Sequence, residues 1–293
     1  MRFRAHDTFF IRKGWLHKGM KNIQKEPTVF MGNNANPMDV LGMGANMVKS
    51  LRYWLQAVGL TEEPSYGKKF QKLTDLGKTI YQNDKYIEEI GTLWFLHYKL
   101  ATNIKNATAW YYFFNEFAHV EFTKYDFLRH LNTYVLLNGS KIAESSLEGD
   151  FNCIINTYVS RIKTNPGKIH PENNIDCPFG ELSLIDIVDK KNRVYKKAIP
   201  KLDSINPIIV LAVIIEQAKG REEVKISSIL NDKCNAGKVF NLDIIILTNL
   251  LNRLENMGYI KVVRTAGLDY IRITKNDIDF LWCVNEYYNF INK

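Results

Sequence analysis

Apolar side chains at Met47, Leu51, Trp54, Leu55 and Val58 recur at helical spacing. Residues 46–58 are therefore predicted to form a helix with one buried face. Gly59 follows the last apolar position, where a left-handed cap suits glycine. A shorter helix start precedes it at residues 38–42 and breaks at Gly44. Residues 61–70, with Pro64, Ser65 and Gly67, can turn back as a hairpin, and residues 73–78 open a further helix. Helix, turn, helix and basic hairpin is the order of a winged helix, whose second helix docks into the major groove of duplex DNA. Winged helices also serve as protein-docking modules, so the charged positions, more than the element order, favour DNA.

The same logic recurs over residues 206–275. Asn206-Pro207 places proline in a first turn, and residues 208–218 are almost wholly apolar, as a central helix would be. Residues 226–230 predict a short second helix. Residues 242–257 predict a third, with Ile245, Leu247, Leu250, Leu251 and Leu254 as a wide buried stripe that ends at Gly258. Residues 259–264 alternate as a strand, residues 266–269 turn, and residues 270–273 return. The charges here are mixed (Arg253, Glu255, Arg264, Arg272), so docking or dimerisation fits this unit as well as DNA does.

Between the two units the chain is crowded with aromatic residues. Helical periods at residues 91–102, 108–118 and 123–136 predict an all-helical block, with the rings in core packing more than in base stacking. A further helix is expected at residues 148–158, beginning near Ser146, and Asn165-Pro166-Gly167 and Cys177-Pro178 mark loops. Residues 188–199 carry Lys190, Lys191, Arg193, Lys196 and Lys197 and read as a solvated connector or a backbone-contacting strip. The expected fold is mainly α with small β-hairpins. It comprises an N-terminal segment plus winged helix (1–86), a helical middle (87–187), a basic linker (188–205) and a C-terminal winged helix with a terminal helix (206–293).

Composition narrows the function classes. A chain of 293 residues with 46% apolar content buries substantial cores and is not a disordered tail. A formal charge of +8 favours a polyanionic partner, with double-stranded DNA the leading one. Cys153, Cys177, Cys234 and Cys283 show no C-x-x-C spacing, which argues against a zinc knuckle or redox motif and fits a reducing cytoplasm. No signal-peptide pattern opens the sequence, and no apolar run is long enough to span a bilayer, so a membrane partner is not expected. The Gly42-x-Gly44 pair follows no apolar strand and precedes no Gly-Lys-Ser, so no nucleotide cofactor is expected there. The residues leave self-association into a homo-oligomer open.

Candidate chemistry concentrates in residues 1–25. Arg2, Arg4, His6, Asp7, Arg12, Lys13, His17 and Lys18 are interleaved with Phe3, Phe9, Phe10, Trp15 and Leu16. Cations beside an apolar body suit phosphate contact, and arginine can clamp two phosphate oxygens at once. His6 and His17 are candidate acid–base groups for a phosphodiester, and the alternative is that His6 and Asp7 hold a strand end or a helix cap. No nuclease signature is present, so a composite site is expected. Its candidates are His6, Asp7, Arg12, His17 and Asp176, with Asp150 and Glu181 further along; Asp150 reads equally as a helix cap. Candidate DNA-contacting residues are Arg4, Lys13, Lys18, Asn46, Lys49, Arg52, Lys68, Lys69 and Arg161.

Several blocks carry a family resemblance. They are His6-Asp7-Thr8-Phe9, Arg12, Gly14-Trp15, Lys18-Gly19, the run from Leu41 to Trp54, residues 150–161, and Asp176-Cys177-Pro178-Phe179-Gly180-Glu181-Leu182. Together they resemble a bacterial domain-of-unknown-function family associated with DNA phosphorothioation gene clusters, in which the SspB-type nickase subunit looks like a member. The resemblance implies a DNA-binding subunit of a sulfur-modification defence system against phage, one that nicks a strand so that sulfur can be installed. It also implies Mg²⁺ or Mn²⁺ as cofactor, and a cysteine desulfurase and an ATP pyrophosphatase-like subunit as partners. The alternatives are a non-catalytic recognition adaptor of the same system and a winged-helix transcriptional regulator. Where the family often has Glu and Lys, this chain has Asp7 and Ala45. Asp7 keeps the carboxylate, whereas Ala45 removes a cation from the helix expected to face the groove.

Overall fold

In the computed structural model, which describes residues 1–64, 66–67, 69–159, 177–264 and 269–292, the N-terminal half is assembled around α3 (Ala45–Ala57). Leu51, Trp54, Leu55 and Ala57 on this helix are sealed from solvent, as the apolar spacing predicts. α1 (Trp15–Lys25) lies against it and buries Trp15, Leu16, Met20 and Ile23. The close approach needs Gly19, because a Cβ there would meet the Leu55 side chain at 2.5 Å. The short α2 (Pro37–Leu41) starts on Asn36, whose side chain accepts the Met38 N–H. A two-stranded hairpin follows, β1 (Thr61–Glu62) with β2 (Lys72–Leu73), and then α4 (Asp75–Asn83), capped by Thr74. The predicted order of helix, helix, hairpin and helix is present.

The aromatic middle is core. α5 (Ile90–Ala101) and α6 (Thr108–Asn115) bury Trp94, Phe95, Trp110, Phe113 and Phe114, and α7 (Lys124–Leu137) and α8 (Glu144–Tyr158) pack against each other. α8 begins at Glu144, two residues before the expected start near Ser146.

Two features of the middle differ from expectation. The block is not wholly helical, since Glu121–Phe122 forms a strand, β3. The basic run is not a solvated connector. Residues Ile185–Asp189 (β4) and Val194–Lys197 (β5) form a hairpin, and β5 is the central strand of an antiparallel sheet of order β3-β5-β4. Strand pairing over Glu121↔Lys196 and Phe122↔Tyr195 recruits Lys196 and Lys197 into the fold, while Lys190, Lys191 and Arg193 stay exposed in the hairpin turn. Lys197 shows why: its ammonium donates to the Phe113 and Phe117 carbonyls at the end of α6, and burial pushes its pKa down to about 7.

The C-terminal part contains α9 (Pro207–Ala218), β6 (Glu223–Lys225), α10 (Ile226–Asn231), α11 (Ala236–Val239), α12 (Ile244–Asn256), β7 (Ile260–Val263), β8 (Tyr270–Ile273) and α13 (Phe280–Ile291). The sheet runs β6-β8-β7 and is antiparallel throughout. α11 and β6 were not legible in the pattern. Ile245, expected in the buried stripe of α12, is exposed, because it lies two positions before Leu247, about 200° away around the helix, and so on the opposite face. One continuous apolar core links Ile11 near one end to Tyr288 near the other. Among the described residues no helix is long and apolar enough to cross a membrane.

Candidate nucleic-acid interface

Residues 1–14 precede α1 and are fixed by side chains instead of by a helix or a strand. His6 is 0% exposed and sits between Trp54, stacked at 6.0 Å, and Trp110, edge-on at 5.6 Å. Its Nδ1 accepts the Thr8 N–H (3.1 Å), so the hydrogen lies on Nε2, which donates to Asp150 Oδ1 at 2.6 Å. Asp150 Oδ1 also accepts the Arg4 N–H at 3.0 Å. Burial raises the Asp150 carboxyl above its ordinary pKa, and the His6 bond opposes that shift. Asp150 lies mid-way along α8 and not at its start, so it is a tether and not a helix cap. The Phe9 carbonyl accepts from Trp54 Nε1 at 2.9 Å and ties the same segment to α3.

This tethering holds the backbone in a sparsely populated conformation. Arg4, Asp7 and Thr8 have φ of 52°, 47° and 70°. Left-handed geometry is costly for Thr8, whose Cβ is branched, and persists only where surrounding contacts determine it. Beyond it, Gly14 (φ 81°) opens α1.

Arg12, Lys13 and His17 border one cleft, together with Tyr86, Ile87 and Pro178. The Arg12 guanidinium lies over Phe9 (5.7 Å) and Trp15 (5.4 Å). His17 donates from Nδ1 to the Lys85 carbonyl at 2.8 Å, which leaves the lone pair on Nε2. Its ring is parallel to Tyr81 and tilted against Tyr86. Among the described residues, no carboxylate forms an ion pair with Arg12, Lys13 or His17.

The remaining sequence candidates are dispersed. Asn46 and Lys49 are exposed on the first turns of α3, Lys69 is exposed in the hairpin, and Arg4 is exposed beside α8. Asp7 is half-buried, and the Lys18 ammonium donates to the Leu41 carbonyl at the end of α2. Arg52 is committed to the fold: both Nε and Nη2 reach Glu63, at 2.5 and 2.7 Å. Lys68, Arg161 and Asp176 lie outside the described residues. Sequence reasoning did not foresee that Tyr86, Ile87 and Pro178 border the same cleft as Arg12. No local signal carries a contact between segments so far apart along the chain.

Among the described residues, no group of three or more His, Cys, Asp and Glu side chains could hold a metal ion. The lining of the cleft carries cations, an imidazole and the Tyr86 phenol but no carboxylate, whereas Mg²⁺ and Mn²⁺ are usually held by carboxylate oxygens. These lining residues do not fit either ion, and no chemical step is assigned through one.

A family model described as a protein of unknown function, DUF4007, matches residues 3–288. The chain belongs to the DUF4007 family. Two solved structures are similar over almost all of it. A crystal structure of SspB has a TM-score of 0.84 and 26% identity, covering 99% of this chain and 89% of that one. A magnesium ion-bound SspB crystal structure has a TM-score of 0.83 and 25% identity, with the same coverage. No curated protein matches the chain. The likeness to SspB runs over almost the whole chain, so the backbone arrangement is shared from the N-terminal segment to the C-terminal part.

Proposed function

We propose that this DUF4007 chain is the DNA-engaging subunit of a DNA phosphorothioation system, and that the surface around the small Arg12–Lys13–His17 cleft contacts the sugar–phosphate backbone. The cleft is the observation that carries this reading: two cations and an imidazole on one concavity, without carboxylate partners among the described residues. An arginine so placed can bind two phosphate oxygens, and a lysine adds a point charge. The likeness to SspB and the motif blocks shared with the phosphorothioation-associated family supply the biological setting.

The two ends of the molecule have separate tasks in this proposal. Both are read as winged helices. At the N-terminal end, exposed Lys49 adds a cation on α3, with the polar Asn46 one turn before it. At the C-terminal end, α12 presents exposed Ile244 and Ile245 where a DNA reader would present cations. That unit is assigned to protein docking, with a second copy or a sulfur-transfer or pyrophosphatase subunit as the partner class.

Strand nicking is assigned to His17, whose Nε2 lone pair accepts a proton from water as the water oxygen bonds to phosphorus and the bond from phosphorus to the leaving sugar oxygen breaks, that oxygen taking a proton from solvent. His6 is sealed from solvent and is given a positioning role. The competing reading, a non-catalytic adaptor, is favoured by the absence of carboxylates from the lining of the cleft.

Fluorescence anisotropy with duplex DNA and relaxation of supercoiled plasmid in Mg²⁺ together test the proposal. Reversing Arg12 and Lys13 to Glu is expected to weaken binding at least tenfold and to flatten its salt dependence by about one unit of slope per cation lost. His17→Ala is expected to retain binding and to slow nicking by about 10²-fold or more. Unchanged affinity in the charge-reversed protein removes the cleft from the interface. Wild-type protein that binds DNA and leaves the plasmid supercoiled selects the adaptor.

A further inference from the structure

Outside the cleft, the turn after α6 and the helix α7 bring two imidazoles together. His119 Nε2 and His130 Nε2 are 3.1 Å apart, with ring centroids at 4.7 Å. His119 is exposed and backed by Phe117, which stacks on it at 5.1 Å. Arg129 Nη2 lies 3.2 Å from His130 Nε2. A guanidinium only donates, so His130 Nε2 is the acceptor and carries no hydrogen. His119 Nε2 must then donate to the same atom. Two nitrogens therefore share one proton across a gap that an ion could occupy instead.

We infer that His119 and His130 form a two-histidine site for a transition-metal ion of the Zn²⁺, Cu²⁺ or Ni²⁺ class. With metal–nitrogen bonds of about 2.0–2.1 Å, nitrogens 3.1 Å apart subtend about 100° at a shared ion. That angle lies between the octahedral and tetrahedral values, and each Nε2 turns about 40° off the N···N line to face the ion. Imidazole nitrogen selects this class over Mg²⁺, which takes oxygen. Binding costs no net proton: the hydrogen on His119 moves from Nε2 to Nδ1, and His130 already carries its own on Nδ1. Asp126 lies one turn before His130 on α7, and its charge is felt at His119. Its Oδ2 is engaged by Thr123, so Asp126 contributes negative field and the protein supplies two ligands. Water or a ligand oxygen completes the coordination sphere.

Arg129 makes the site self-opposing. Its guanidinium takes the His130 lone pair and adds a positive charge beside it, so the metal must displace it. The Tyr125 ring, 6.0 Å away, offers it another contact.

The test uses the full chain without a histidine tag, titrated with Zn²⁺ by calorimetry near neutral pH, with thermal melting as a second readout. Wild type is expected to take up an equivalent of Zn²⁺ that the His119→Ala/His130→Ala double variant does not, and Zn²⁺ is expected to raise the Tm of the former only. Each single variant is expected to bind at least tenfold more weakly, and Arg129→Gln severalfold more tightly. Far-UV circular dichroism checks that each variant is folded. Wild type and double variant taking up equal Zn²⁺, or wild type taking up none, overturns the site.

Discussion

At the scale of single residues, His6 shows how an apparent catalytic pattern becomes an anchor. A His-Asp pair adjacent in sequence invited an acid–base reading, yet the partner of His6 is Asp150, 144 residues away. The bond is buried, and removing one member leaves the other without compensation. His6→Ala is therefore expected to destabilise the protein by about 3 kcal/mol in urea unfolding, through the uncompensated Asp150 carboxyl. A loss well under 1 kcal/mol would show that the dyad does not hold the N-terminal segment. Lys197 makes the complementary point. A lysine in a basic run looked like surface, but its amine closes the carbonyl end of α6.

At the scale of elements, α3 divides its cations between two jobs. Arg52 forms a bidentate pair with Glu63 across the start of the hairpin, reinforced by Gln56 at 3.1 Å. Lys49, one turn earlier, is exposed and has no ion pair among the described residues. Arg52→Ala and Glu63→Ala are each expected to lower stability by about 1–2 kcal/mol, with the double variant losing less than the sum. Lys49→Glu is expected to leave the unfolding midpoint unchanged and to weaken duplex binding. The reverse assignment, a stability loss at Lys49 and none at Arg52, would undo this division. Both residues lie off the buried face in the sequence pattern. Only the return of the hairpin, which carries Glu63 back to α3, separates them.

At the scale of the whole molecule, the C-terminal helix closes against the N-terminal half. The Tyr287 hydroxyl accepts from the Gly91 N–H, and a Cβ at Gly91 would lie 2.1 Å from the Tyr287 ring. Tyr288 and Asp84 converge on the Thr92 hydroxyl. His97 joins three segments: its Nε2 donates to the Val239 carbonyl, and its Nδ1 accepts from the Tyr158 hydroxyl. Burial lowers its pKa to about 4, against a weaker opposing effect of the Val239 bond. Between that value and the ordinary histidine value, the unfolded chain binds a proton that the native state refuses. Stability is thus full above about pH 6.5 and falls with acidification to about pH 4, by about 3 kcal/mol from this residue alone. Urea unfolding of wild type and His97→Gln across that range checks it, and the variant should lack this part of the slope. Identical slopes would place the acid sensitivity elsewhere.

The residue order by itself determined most of the helices, because apolar spacing and capping residues are local. α3, α9 and α12, the Asn206-Pro207 start and the Gly59 and Gly258 ends were all readable from neighbours a few positions apart. It also determined the cationic character of residues 1–25. Strand β3, the role of the basic run as β5, and the orientation of Ile245 depended on pairing and helix phase across distance, which local pattern leaves undetermined. The partners of charged residues were likewise decided only in three dimensions. His6 found Asp150, Arg52 found Glu63, and Arg12 came to share a cleft with Tyr86 and Pro178. A charge is paired or free according to what the folded chain brings within a few ångströms, and sequence spacing does not record that distance.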